Sequence, residues 1–225
     1  MKKYIVVGSL LLLCSNIFGA ISYYTDKSLF LDAIAASFTE TFNTLPPPGG
    51  YININGMTIG EAEYNAPTNL SAISPGYAPS YYNWNSGAVA VGGYYGEYIR
   101  ITPSKDIYYI GADVMLAAYN TGAVTGTMTA VITLQDSSTD TRSLTTLSRP
   151  NRAFMGFISS SSPVANIEFY TPDTNAGANY YPIPIIDNVI IPEPGVTPLF
   201  AVAGVVFLFN FFARKSCPVA FSSTL

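Results

Sequence analysis

Glu61 and Glu63 are the nearest approach in this chain to a general acid and base. If 60–64 is a strand, the two carboxylates share a face about 7 Å apart, close to the spacing at which a carboxylate pair hydrolyses a glycosidic bond. An acidic i, i+2 pair on a solvated strand has the same spacing, so the pair reads first as a solvated face. The 225 residues include no histidine. That excludes Ser-His-Asp and Cys-His nucleophiles and removes the commonest ligand of zinc and iron. Cys14 and Cys217 are the only cysteines, and both fall outside the central stretch 23–190, which therefore has no thiol chemistry and no disulfide and must be held by burial alone. No catalytic residue is expected, and the chain is not expected to be an enzyme.

Binding chemistry has more to offer. Tyr81-Tyr82-Asn83-Trp84-Asn85 combines aromatic faces with amide donors in a loop-like stretch, and aromatic rings with a polar tip are suited to stacking on sugars. Tyr81, Tyr82 and Trp84 are the expected carbohydrate contacts, against the plainer reading that β proteins use tyrosine freely and that Trp84 is core. Five tyrosine pairs occur, Tyr23-Tyr24, Tyr81-Tyr82, Tyr94-Tyr95, Tyr108-Tyr109 and Tyr180-Tyr181, and a pair that lies in a strand places one ring on either face. No cofactor is expected beyond a structural calcium, whose oxygen shell would draw on Glu40 early in the chain and Asp187 late. The alternative is that Asp187 bonds backbone amides and Glu40 faces solvent.

Within 23–190, six lysines and arginines stand against thirteen aspartates and glutamates, a net of minus seven. Such a surface repels phosphates, which argues against nucleic acid and anionic lipid as partners.

The elements that must carry these residues read as β. In 127–135, Met128, Ala130, Ile132 and Leu134 alternate with a largely threonine row, one row for a core and one for water. Similar alternation marks 98–101, 107–114, 164–170 and 185–191. Asn55-Gly56 predicts a hairpin across 51–59, and turn signals recur at Pro46-Pro47-Pro48-Gly49-Gly50, Ser74-Pro75-Gly76, Gly92-Gly93 and Asp136-Ser137-Ser138. Thr25 or Asp26 caps one short helix with Leu29, Phe30, Ala33 and Ile34 as its stripe. The expectation is an all-β antiparallel sandwich of jelly-roll type in one domain, with one short N-terminal helix.

The two ends carry addresses. Met1-Lys2-Lys3, an apolar run from Tyr4 to Leu13 and small residues to Ser22 make a signal peptide over 1–22, cut after Ser22 by a small-x-small rule rather than after Ala20. Residues 195–213 carry no charge and as a helix would cover roughly 28 Å, enough to cross a bilayer. Arg214-Lys215 then face the cytoplasm with a tail at 216–225, and the domain lies outside.

Pro192-Glu193-Pro194, an apolar span and Arg214-Lys215, behind a signal peptide and a Thr- and Ser-rich domain, resemble the PEP-CTERM proteins of bacteria. A short helix, a strand like Phe38-Thr39-Glu40-Thr41-Phe42 and a closing strand like Ile186-Asp187-Asn188-Val189 are similar to those of the family's exported domains. The resemblance implies a sorting signal over 191–215 with Pro192, Glu193, Pro194, Arg214 and Lys215 as its motif, read by an exosortase-type protease. It implies a membrane anchor, transient or permanent, and delivery to the cell envelope, surface or extracellular matrix in company with exopolysaccharide. The reading is an exported, non-enzymatic surface or matrix protein with a structural or adhesive role. Its alternative is a carbohydrate-binding module using Trp84 and neighbouring tyrosines, and a glycoside hydrolase comes third.

Overall fold

The computed structural model describes residues 21–34, 37–74, 77, 89–92, 97–118, 126–146, 152–172 and 182–193. Two antiparallel sheets account for most of them. The first runs, in spatial order, β1 (Ile21–Tyr24), β12 (Ala153–Ser159), β9 (Tyr109–Ala118), β14 (Pro182–Pro192), β7 (Val89–Val91), β6 (Ser71–Ile73) and β3 (Tyr51–Asn53), with β2 (Ser37–Glu40) also paired to β14. The second runs β11 (Thr139–Thr146), β10 (Gly126–Leu134), β13 (Val164–Tyr170), β8 (Tyr98–Pro103), β5 (Ala62–Asn65) and β4 (Met57–Ile59).

Strand alternation fills the space between them. Ala112, Val114 and Leu116 of β9, Phe157 of β12 and Ile186, Val189 and Ile191 of β14 share one core cluster with Met128, Ala130, Ile132 and Leu134 of β10, Ile167 and Phe169 of β13, and Ile99 and Ile101 of β8. The apolar row read in 127–135 is therefore the buried row, and the all-β sandwich is the observed class. Tyr23 and Tyr24 divide between faces as expected: Tyr23 packs on Phe157 at 5.2 Å between ring centroids, Tyr24 on Phe30 at 5.7 Å.

The outer face of the first sheet is also covered. Helix α1 (Lys27–Ala33) starts where Asp26 accepts from the amides of Ser28 at 2.8 Å and Leu29 at 3.2 Å, a cap that satisfies two otherwise orphan donors. Its Phe30 is fully buried against Gly111 and Gly156, which face each other across β9 and β12. A Cβ on Gly156 would lie 2.6 Å from Phe30, and one on Gly111 would lie 2.7 Å from Phe154. Only glycine leaves this seat open.

Asn55-Gly56 does not form the expected hairpin. β3 pairs with β6 in the first sheet while β4 pairs with β5 in the second, so the turn carries the chain from one layer to the other. Of the two central residues only Gly56 has positive φ, at 75°, and Met57 N–H bonds to Ile54 C=O at 3.0 Å. That is type II geometry rather than the type I′ turn that would twist two strands into register.

The first strand includes Ile21 and Ser22, paired to Ser159 and Ile158, so β1 extends across the boundary expected after Ser22. At the other end Pro192 closes β14 opposite Ser37 and Glu193 is exposed. Pro194, Arg214, Lys215 and the apolar run 195–213 lie outside the described residues. Among the described residues no helix is long and apolar enough to cross a membrane.

Candidate functional site

The outer face of the second sheet gathers side chains whose shapes suit a ligand. Alternation turns Ile99, Ile101, Ile167 and Phe169 inward, which leaves Tyr98, Arg100, Glu168 and Tyr170 outward. Register then sets them side by side: Tyr98 opposite Tyr170, and Arg100 opposite Glu168. Asn65 of β5 flanks Arg100, while Thr129 and Val131 of β10 flank Tyr170 and Glu168. Across the four strands from β5 to β10 the platform measures roughly 14 Å, three strand spacings of about 4.8 Å.

Contacts fix the planar groups. Arg100 donates to Glu168 Oε1 from both Nε, at 2.8 Å, and its terminal nitrogen, and its guanidinium lies 4.8 Å from the Tyr98 ring centroid. The hydrogen bond to Glu168 raises the Arg100 pKa above its usual value, so the guanidinium stays charged and tied. Asn65 Nδ2 donates to Glu63 Oε1 at 2.9 Å, and the Thr129 and Ser143 hydroxyls bond at 2.9 Å. Side-chain exposures of 40% for Arg100 and 23% for Glu168 leave them reachable from solvent. The central charges cancel, so the patch presents aromatic faces, the Asn65 amide, the Ser143 hydroxyl and a neutral pair, with Thr129 buried beneath. Such a surface can stack on and hydrogen-bond to a neutral polyhydroxylated chain.

A second aromatic pair lies at the edge of the first sheet, where the rings of Tyr51 and Tyr77 stand 5.2 Å apart and Tyr51 is exposed. Tyr81, Tyr82 and Trp84 lie outside the described residues.

The carboxylates singled out from sequence are engaged separately. Glu61 pairs with Lys105 at 2.8 Å while Glu63 takes Asn65. β5 begins at Ala62, so Glu61 precedes the strand. Glu40 Oε1 accepts the Phe42 amide at 2.7 Å. Asp187 accepts from Arg152 at 2.5 Å and from the Asn188 amide at 2.7 Å. Glu40 is the partner of core residue Val189, whereas Asp187 is the partner of Asp113 on the outer face. Directly paired residues share a face, so the fold turns these two carboxylates to opposite sides of the sheet. Among the described residues no group of three or more metal-ligating side chains gathers.

No motif in the sequence singles out Tyr98, Arg100, Glu168 and Tyr170. The alternation of both strands was legible and marked these as outer positions, but the register that pairs them is a tertiary property.

No protein-family model matches the chain, and no curated protein matches it. Among solved structures it is similar to a mutant of the family 29 carbohydrate-binding module CBM29-2 complexed with cellulohexaose, at 11% identity and a TM-score of 0.34 over 70% of this chain and 91% of that one. The N-terminal cellulose-binding domain of β-1,4-glucanase C from Cellulomonas fimi is similar at 14% identity and a TM-score of 0.32, over 72% of this chain and 98% of that one. A likeness this slight transfers neither ligand nor residue role.

Proposed function

We propose that this chain is a non-catalytic surface or matrix module that holds a neutral polysaccharide against the outer face of its second sheet. The observation that supports the reading is the Tyr98, Arg100, Glu168 and Tyr170 cluster, two aromatic rings beside a tied, charge-neutral pair on an otherwise hydroxyl-rich sheet. Rings give stacking area with little entropy to lose, and fixed planar hydrogen-bonding groups give orientation. The test is retention of the exported protein on the producing cell's own polysaccharide. Replacing Tyr98 and Tyr170 together by alanine should abolish retention at unchanged melting temperature. Undiminished retention in that variant removes this face from the reading, and loss on Trp84→Ala instead moves the contact to the 81–85 stretch.

The domain is a jelly roll exported by the signal peptide and delivered by the sorting signal at 191–215, with the helix at 195–213 as membrane anchor and an exosortase-type protease as partner. Pro192-Glu193-Pro194 followed by an uncharged run and Arg214-Lys215 supports this route. Mass spectrometry of the mature C-terminus tests it: a chain ending near Pro192 agrees, and an intact Leu225 in the membrane fraction overturns processing.

A further inference from the structure

The packing that seats Phe30 between two glycines also brings the first turn of α1 down on the middle of β9. Lys27 Nζ lies 3.1 Å from Oδ1 and 3.0 Å from Oδ2 of Asp113. Asp113 is 8% exposed, and the Phe154 ring centroid is 5.9 Å from the amine. One further donor and one neighbouring cation stand at one oxygen of the same carboxylate. Asn188 Nδ2 donates to Asp113 Oδ2 at 2.6 Å, and Arg152 holds a nitrogen 3.9 Å from it. Each is positioned. Asn188 has φ of 48° at the irregularity where β14 shifts register between Asp187 and Ile190, and Arg152 is oriented by Asp187, the residue opposite Asp113.

An amine in contact with both oxygens of a shielded carboxylate, one of them already held by an N–H donor with a guanidinium close by, has the parts of an acyl substitution: proximity, and stabilisation where negative charge gathers. We propose that Lys27 and Asp113 become joined by an intramolecular amide bond. The ion-pair proton passes from Nζ to Oδ1, and the neutral amine attacks Cγ. The C–N bond forms while charge collects on Oδ2 beside Asn188 and Arg152. A second proton moves from nitrogen to Oδ1, the C–Oδ1 bond breaks, and that oxygen leaves as water. No electron is gained or lost, and no co-reactant is consumed. The bond ties the first helix to a central strand across a long loop, the placement in which a covalent link most restricts an unfolded chain. It does so in a domain that has no cysteine to make a disulfide.

The experiment is intact-mass measurement of the full-length gene product after export, followed by peptide mapping. The expected protein is lighter by one water than its processed sequence, with a branched peptide joining Lys27 to Asp113. Lys27→Arg keeps the charge pair but removes the nucleophile, so it should show the full mass and a lower melting temperature. Asp113→Asn removes the carboxylate that takes the amine's proton, so it too should show no link and the full mass. A wild-type protein of full mass, or a water lost at any other residue, overturns the proposal without recourse to a variant.

Discussion

Tyr64 is fully buried in the core, edge-on to Phe42 at 5.3 Å between ring centroids, and its hydroxyl has no hydrogen-bond partner among the described residues. Burial, with Glu40 nearby, pushes its pKa far above that of a free phenol. A buried hydroxyl without a partner carries its full desolvation cost, so Tyr64→Phe should raise stability by roughly 1 kcal/mol in urea unfolding, against the usual direction of a core substitution. Asp187 makes the opposite kind of case, because it is well partnered and still costly. Burial raises its pKa to about 6, Arg152 and the Asn188 amide pull it down, and Asp113 adds to the rise. Between the unfolded carboxylate value of 3.8 and about 6 the folded chain therefore binds more protons than the unfolded one. The contribution is complete below that window and is lost as pH rises through it. Stability should fall by on the order of 2–3 kcal/mol between pH 4 and 7, a loss that Asp187→Asn should not share when melting is followed against pH. Neither residue announced this in sequence. The alternation around Glu61 and Glu63 does not show that the hydroxyl of Tyr64 would lack a partner, and the sequence shows the charge of Asp187 but not the burial that opposes it.

At the scale of elements, seating α1 depends on what β9 and β12 omit. Gly156→Ala puts a methyl group 2.6 Å from Phe30 and 2.7 Å from Phe154, both large rings in a filled cluster with Tyr109 and Ile190. Overpacking of this kind costs about 2 kcal/mol or more. Urea unfolding should show that loss, and hydrogen exchange should show the helix amides opening first. The helix itself was readable, since an acidic cap and a stripe containing Phe30 lie within local sequence. Its seat was not, because two glycines 45 residues apart in sequence mean nothing until β9 and β12 pair. Asn55-Gly56 teaches the same limit from the other side: the dipeptide correctly marks a turn, but whether a turn makes a hairpin depends on where the flanking strands find partners. β1 carries a further prediction. Its pairs at Ile21 and Ser22 would be cut away by cleavage after Ser22, so N-terminal sequencing of the mature protein should start at or before Ile21.

For the whole molecule, the two sheets share one core and differ in their outer faces. The first is packed outside as well as inside, by α1 over one part and by a second apolar cluster of Ile73, Val89, Val91, Met115, Ile183 and Ile185 over another. The second sheet carries tyrosines, threonines and tied charges outward, which is why the proposed ligand platform lies there. Alternating strands in the sequence sufficed for the class of fold. They did not suffice for this asymmetry, because an apolar outer position and an apolar inner one look alike in a strand such as Ile185–Ile191 until the opposite layer is known.

The position of β14 sets a schedule. It is the last described strand in sequence, yet in space it lies between β9 on one side and β2 and β7 on the other. A chain made and threaded from its N-terminus can form β10 with β11 early, because those strands adjoin in sequence, but the first sheet stays divided until 182–192 arrives. Pairings of such long sequence separation are slow to form. On the proposed export route, a chain still open along its middle would be the one that passes the channel, and closure would coincide with the arrival of the segment that bears Pro192-Glu193. If the chain is exported as proposed, one stopped before Pro182 should cross the membrane yet remain sensitive to protease, whereas one that includes Pro192 should become resistant.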